Sequence, residues 1–87
     1  MFAEFVGKTV VIDLRSQFVC LGKLERYDDQ AVWLSDADIH DLRDSDTTRE
    51  NYVAASFTTG IKRNRRSVVV ARPEIVAISQ LSEVVDE

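Results

Sequence analysis

The chain has 87 residues, of which 45% are hydrophobic and 30% charged, with three glycines and one proline. This composition excludes a disordered or fibrous protein, and the length leaves room for one domain spanning residues 1–87. A net charge of −4 excludes a protein that coats nucleic acid through bulk positive charge.

Phe2, Phe5 and Val6 recur at helical spacing before Gly7, which predicts a short helical turn over residues 2–6 that must dock on something to be stable. Thr9 to Leu14 alternates, with Val10, Ile12 and Leu14 on one face and Thr9, Val11 and Asp13 on the other, as a half-buried strand does. Arg15, Ser16 and Gln17 make a hairpin-length connection to a second strand, Phe18 to Tyr27. There Phe18, Cys20, Gly22 and Leu24 share one face, and Val19, Leu21, Lys23 and Glu25 the other. A glycine inside a strand marks a bend or a close backbone approach, so Gly22 is the predicted bend that lets one strand serve two sheets of a small barrel.

After a turn at Asp28, Asp29 and Gln30, a third strand runs from Ala31 to about Ala37, followed by a polar, acidic stretch to Ser45. Thr47 with Glu50 three residues on fits a capping box, and Val53, Phe57 and Ile61 stand at i, i+4 and i+8 with Gly60 placed to stop a helix. These signals predict a helix over residues 48–59; a strand is the rival, because Tyr, Val, Phe and Thr are good β formers. Ser67 to Ala71 and Ile75 to Leu81 are two further strands joined by Arg72, Pro73 and Glu74, and residues 82–87 form an acidic tail expected to fray. Five short strands with a bend-forming glycine describe a mainly β protein, a small, partly open barrel.

Several functions lack the residues they need. No apolar run approaches the roughly 20 residues that span a bilayer, and Met1-Phe2-Ala3-Glu4 has neither the basic start nor the long apolar stretch of a signal peptide, so no membrane association and a cytoplasmic location are expected. Cys20 and His40 are the only residues of their types, too few for a zinc site; Cys20 reads as a small buried hydrophobe and His40 as a loop or surface residue. Asp28 and Asp29 sit in a turn and Asp36, Asp38 and Asp41 in a polar loop, where solvation keeps carboxylates ordinary. With no Ser-His-Asp spacing, P-loop or glycine-rich phosphate cradle, neither an enzyme nor a cofactor is expected.

Charge is segregated along the chain. Asp36, Asp38, Asp41, Asp44, Asp46 and Glu50 crowd one segment, whereas Lys62, Arg63, Arg65, Arg66 and Arg72 lie between Ile61 and Pro73 with no acid among them. The run Lys62-Arg63-Asn64-Arg65-Arg66 is a candidate for phosphate contact. It also suits plain helix electrostatics, with acids near the N-terminus of the predicted helix and Lys62 and Arg63 beyond its C-terminus.

The run Gly22-Lys23-Leu24-Glu25-Arg26-Tyr27-Asp28 resembles the first motif of the Sm/Lsm family, which includes the bacterial Hfq-type proteins. Phe5-Val6-Gly7-Lys8-Thr9-Val10 looks like that family's short helix leading into its first strand, Asp36-Ala37 is similar to the close of its third strand, and Val68 to Ile78 matches the hydrophobic skeleton of its second motif. The resemblance implies a strongly bent five-stranded Sm-like barrel of the SH3 type with residues 48–59 as a helical insertion. It also implies edge-to-edge assembly into a homo-oligomeric ring and binding of single-stranded RNA. An insertion at that place also suits the OB-fold, the alternative architecture. The resemblance carries Asp28, Gln30 and Arg72 to the RNA site. The chain departs from the family at Val32, where an asparagine helps read uracil, and at Ala71-Arg72, which aligns with an Arg-Gly pair, so altered base recognition is expected.

Val11, Val19, Leu21, Trp33 and Val69 lie on strand faces opposite the presumed interior, and burying them in a ring is the expected use of that surface; the alternative is that the second helix covers it in a monomer. From a different function class comes a scaffold that keeps the ring, loses base readout and holds a protein partner through its acidic segment or inserted helix.

Overall fold

The computed structural model describes residues 2–44 and 47–85. Five antiparallel strands, β1 (Thr9–Leu14), β2 (Phe18–Tyr27), β3 (Ala31–Asp41), β4 (Arg65–Ala71) and β5 (Ile75–Gln80), form one sheet in the order β4-β3-β2-β1-β5. One α-helix, α1 (Arg49–Thr59), is inserted between β3 and β4. Single 3-10 turns occupy Ala3–Phe5, Leu42–Asp44, Arg72–Glu74 and Leu81–Glu83. No helix among the described residues is long and apolar enough to cross a membrane.

The sheet bends where Gly22 meets β3. Lys23 pairs with Ser35 and Leu21 with Asp38, so Asp36 and Ala37 together face the single residue Gly22, and this extra residue on β3 is a β-bulge. Asp36 takes the left-handed conformation that the bulge requires, φ 49°, which Asp and Asn tolerate better than other residues with a side chain. A Cβ on Gly22 would stand 3.1 Å from both the Ala37 Cβ and the Ser35 carbonyl oxygen. The predicted bend glycine therefore marks a close backbone approach.

Bending gives the sheet two buried faces. The inner one packs Phe2, Val10, Ile12, Cys20, Leu24, Val32, Leu34, Ala37 and Val70, with half-buried Leu14 against them. Phe2 belongs to this core because the N-terminal turn docks through the Gly7 N–H, which donates to the Leu24 carbonyl at 2.8 Å. The outer face packs Val11, Val19 and Leu21 beneath Val53 of α1, with Leu42, Tyr52, Ile61, Leu81 and Val84 at its margin.

Several expectations need correction. Val11, Val19 and Leu21 are buried beneath Val53 and Tyr52 of α1 together with Leu42, Ile61, Leu81 and Val84, and so are not left for a ring interface; Val69 stays 54% exposed and Trp33 half-exposed. β3 runs on to Asp41 instead of stopping near Ala37, because β2 stays paired with it as far as Phe18 opposite Asp41, while on its other side, beyond the end of β4, Asn64 bonds Ile39. The Asn64 side chain accepts from the Ile39 N–H and donates to the Ile39 carbonyl, as a neighbouring strand would. The N-cap is Thr48, whose hydroxyl accepts from the Asn51 N–H at 3.1 Å, one residue after the expected Thr47, and Arg49 is the first helical residue. Leu81 leaves the sheet for a 3-10 turn and Val84 is half-buried, so the tail is docked as far as that residue; Asp86 and Glu87, like Ser45 and Asp46 of the acidic segment, lie outside the described residues.

Candidate nucleic-acid interface

Asp28 opens the turn between β2 and β3. Its Oδ1 accepts from the backbone N–H groups of Gln30 at 2.8 Å and Ala31 at 2.9 Å, the local turn for which Asp is suited. Antiparallel pairing of Ala31 with Ala71 then delivers the residue after β4 to this turn. The Arg72 N–H donates to the Gln30 carbonyl and its Nη1 to the Asp28 carbonyl, both at 2.9 Å. The guanidinium lies 4.8 Å from the centroid of the Phe2 ring, which is tilted against Tyr27 at 5.8 Å.

Asp28, Gln30 and Arg72, far apart in sequence, thus meet at one place. The Arg72 guanidinium has N–H groups to spare, the Gln30 amide is exposed and offers both a donor and an acceptor, and the Tyr27 ring is 39% exposed. Val32 is fully buried in the inner core and brings no polar atom to the turn. The sequence reading missed Phe2 as the floor beneath Arg72; its apolar spacing signalled only a docked turn.

The second candidate group lies at the other end of β4. The strand is seven residues long from Arg65 to Ala71, so its ends lie about 20 Å apart at the rise of an extended chain. Lys62, Arg63, Arg65 and Arg66 are therefore not brought to the Asp28 turn. All four are exposed on a backbone held firmly to β3. Besides the two side-chain bonds of Asn64, its N–H donates to the Ala37 carbonyl at 2.8 Å. Arg63 donates through Nη1 to Asp36 Oδ1 at 2.8 Å, and Arg65 through Nη1 to the Asn64 carbonyl at 3.0 Å. Glu50 in the first turn of α1 and Lys62 beyond its C-terminal Gly60 also suit the helix macrodipole.

The remaining ionisable groups need partial correction. Asp36, Asp38 and Asp41 all lie on β3 and not in a loop. Burial pushes the Asp38 carboxyl up, opposed by the charge of His40, whereas hydrogen bonds from Arg43 hold Asp41 down at about 2. His40, expected in a loop or on the surface, is half-buried on β3 and stacked on Tyr52 of α1, with ring centroids 3.9 Å apart and planes 8° from parallel. Cys20 is the buried hydrophobe expected, its thiol pushed up to about 12 chiefly by burial. Among the described residues no group of three or more His, Cys, Asp or Glu side chains could hold a metal ion.

No protein-family model matches the chain, and no curated protein matches it. Among solved structures it is similar to the Sm protein of Pyrococcus abyssii in complex with a uridine heptamer, with a TM-score of 0.59 and 21% sequence identity over 88% of this chain and 87% of that one. The chain has an Sm-type fold. The bent five-stranded sheet implied by the Gly22 to Asp28 motif is therefore the architecture, and the OB-fold alternative is set aside.

Proposed function

We propose that this chain is an Sm-like protein that binds single-stranded RNA, assembles edge to edge into a closed homo-oligomeric ring, and reads bases differently from the family's usual uridine pocket. The observation that carries the reading is the meeting of Arg72 with the Asp28 turn, on a fold shared with a protein solved with a uridine heptamer. Arg72 and Gln30 supply hydrogen-bonding groups for a base, Tyr27 supplies an exposed ring, and Val32 in place of an asparagine removes one group from base readout. Lys62, Arg63, Arg65 and Arg66 supply phosphate contacts at the far end of β4.

Assembly is supported by the two sheet edges. Among the described residues β4 and β5 each lack a partner on one side, and they expose Val69 at 54% and Val76 at 65%. Open edges of this kind are aggregation sites unless paired, and head-to-tail pairing that closes into a ring pairs them all.

Fluorescence anisotropy with labelled single-stranded RNA at low salt tests the reading. Charge reversal of Lys62, Arg63, Arg65 and Arg66 should abolish binding, and each phosphate contact removed should flatten the log-log salt dependence by about 0.7. Arg72→Ala should narrow the preference between bases more than it weakens binding overall. If the wild-type protein binds no RNA of any composition, the RNA reading fails and a scaffold that holds a protein partner takes its place.

A further inference from the structure

Asp36 is an exposed acid set among arginines. Because β3 bulges opposite Gly22, the left-handed backbone at Asp36, φ 49°, turns its carboxylate toward the chain that leaves α1. Its Oδ1 there accepts from Arg63 Nη1 at 2.8 Å, with the two side chains 61% and 67% exposed. Asp36, Arg63, Asn64, Arg65 and Arg66 together line an open polar cleft of about 410 Å3. Three guanidinium groups thus border a space that holds one carboxylate, on a backbone fixed to β3 by the paired bonds of Asn64.

A guanidinium presents the same planar fork to a carboxylate as to a phosphate. An ion pair this exposed contributes little to folding, so exchanging one partner for another leaves the fold intact. We infer that the Arg63-Arg65-Arg66 cleft is a phosphate subsite of the RNA interface and that Asp36 is its internal competitor, occupying Arg63 until a backbone phosphate displaces it. The inference rests on the RNA reading above and adds to it a residue that weakens binding. Asp36 sets how strongly the basic run holds RNA, which keeps a run of four cations from gripping every polyanion.

Asp36→Asn is the informative change, because Asn tolerates the left-handed backbone as Asp does and the bulge survives; an unchanged melting temperature verifies this. RNA affinity, read by anisotropy at low salt, should rise about fivefold, the gain from removing one unit charge at contact distance in water. The log-log salt slope should stay nearly the same, because Arg63 meets the phosphate in both complexes and the change removes only the cost of displacing Asp36. In an Arg63→Gln background the same change should give no gain, because the effect runs through that one pair. Weaker or unchanged binding by Asp36→Asn overturns the inference and makes the carboxylate an orienting partner or a bystander. An equal gain with and without Arg63 also overturns it, leaving only general electrostatics. Absence of RNA binding by the wild type and by Asp36→Asn alike brings down the RNA reading itself, an outcome distinct from both.

Discussion

Gly22→Ala adds one methyl group at the bend, and the surroundings decide what that methyl does. It would stand 3.1 Å from the Ala37 Cβ, 3.1 Å from the Ser35 carbonyl oxygen and 3.2 Å from the Ala37 Cα. Carbon atoms prefer separations of about 3.5–4.0 Å, so β2 and β3 must part by about 0.3–0.9 Å. Two of the three neighbours are backbone atoms in a paired strand and have no rotamer into which to retreat. Overpacking of this kind costs about 1–3 kcal/mol, offset by about 0.4–1 kcal/mol because alanine restricts the unfolded chain more than glycine does. The net loss, at most about 2.6 kcal/mol and about 1.3 kcal/mol at mid-range, lowers the melting temperature of a domain this size by roughly 5–10 °C at that mid-range value. Gly22→Val, with two further methyl groups, should disrupt folding. Thermal melts at one fixed protein concentration are the assay, since assembly also affects the midpoint. Ala37→Gly in the Gly22→Ala background removes one of the three contacts and should recover part of the loss in a non-additive way. A melting temperature unchanged by Gly22→Ala, and again by Gly22→Val, would refute the assignment of the bend to this close approach.

Two further changes probe the insertion and its attachment. Thr48→Ala removes the hydroxyl that caps α1 and should destabilise the protein by about 1 kcal/mol, whereas Thr47→Ala should leave the urea midpoint unchanged. Asp38→Asn should stabilise the protein in a pH-dependent way. Burial raises the folded-state pKa of Asp38 above the unfolded value of 3.8, so its ionised form is disfavoured by folding. The advantage of the amide should therefore be absent below that unfolded value, grow as pH rises through the folded one and stay constant above it. Urea denaturation of both proteins at a series of pH values measures this, and an advantage that shrinks as pH rises would contradict it.

How much of this was legible in the chain depended on whether one period ruled a segment. β1 and the bend in β2 were readable because Val10, Ile12 and Leu14 alternate cleanly and a glycine interrupts a strand only for a reason. The far half of β3 was not, because Asp36, Asp38 and Asp41 look like a solvated loop. The strand continues through them because β2 stays paired with it to Asp41 past a bulge at Asp36, with Asn64 bonding Ile39 from the other side, and neither the bulge nor that side-chain bond leaves a periodic trace. In α1 the existence and end of the helix were legible, but adjacent threonines left the cap ambiguous by one residue. What α1 covers was illegible for a different reason. Val19, Cys20 and Leu21 are buried in succession because the bent sheet is packed on both faces, and alternation cannot say whether a second face meets a helix or another subunit. At the candidate site the resemblance pointed to Asp28, Gln30 and Arg72, which the fold brings together. The separation of Arg72 from Lys62 and Arg63 by the length of β4 already followed from the strand predicted between them, whereas the Phe2 ring beneath Arg72 became visible only in three dimensions.

The central claim is a ring that holds RNA, and native mass spectrometry of the protein with a single-stranded oligonucleotide tests it most directly. The account predicts one discrete multimer larger than a dimer, which gains the mass of bound oligonucleotide at low salt and loses it when Lys62, Arg63, Arg65 and Arg66 are reversed in charge. A monomer at micromolar concentration that carries no oligonucleotide would contradict it.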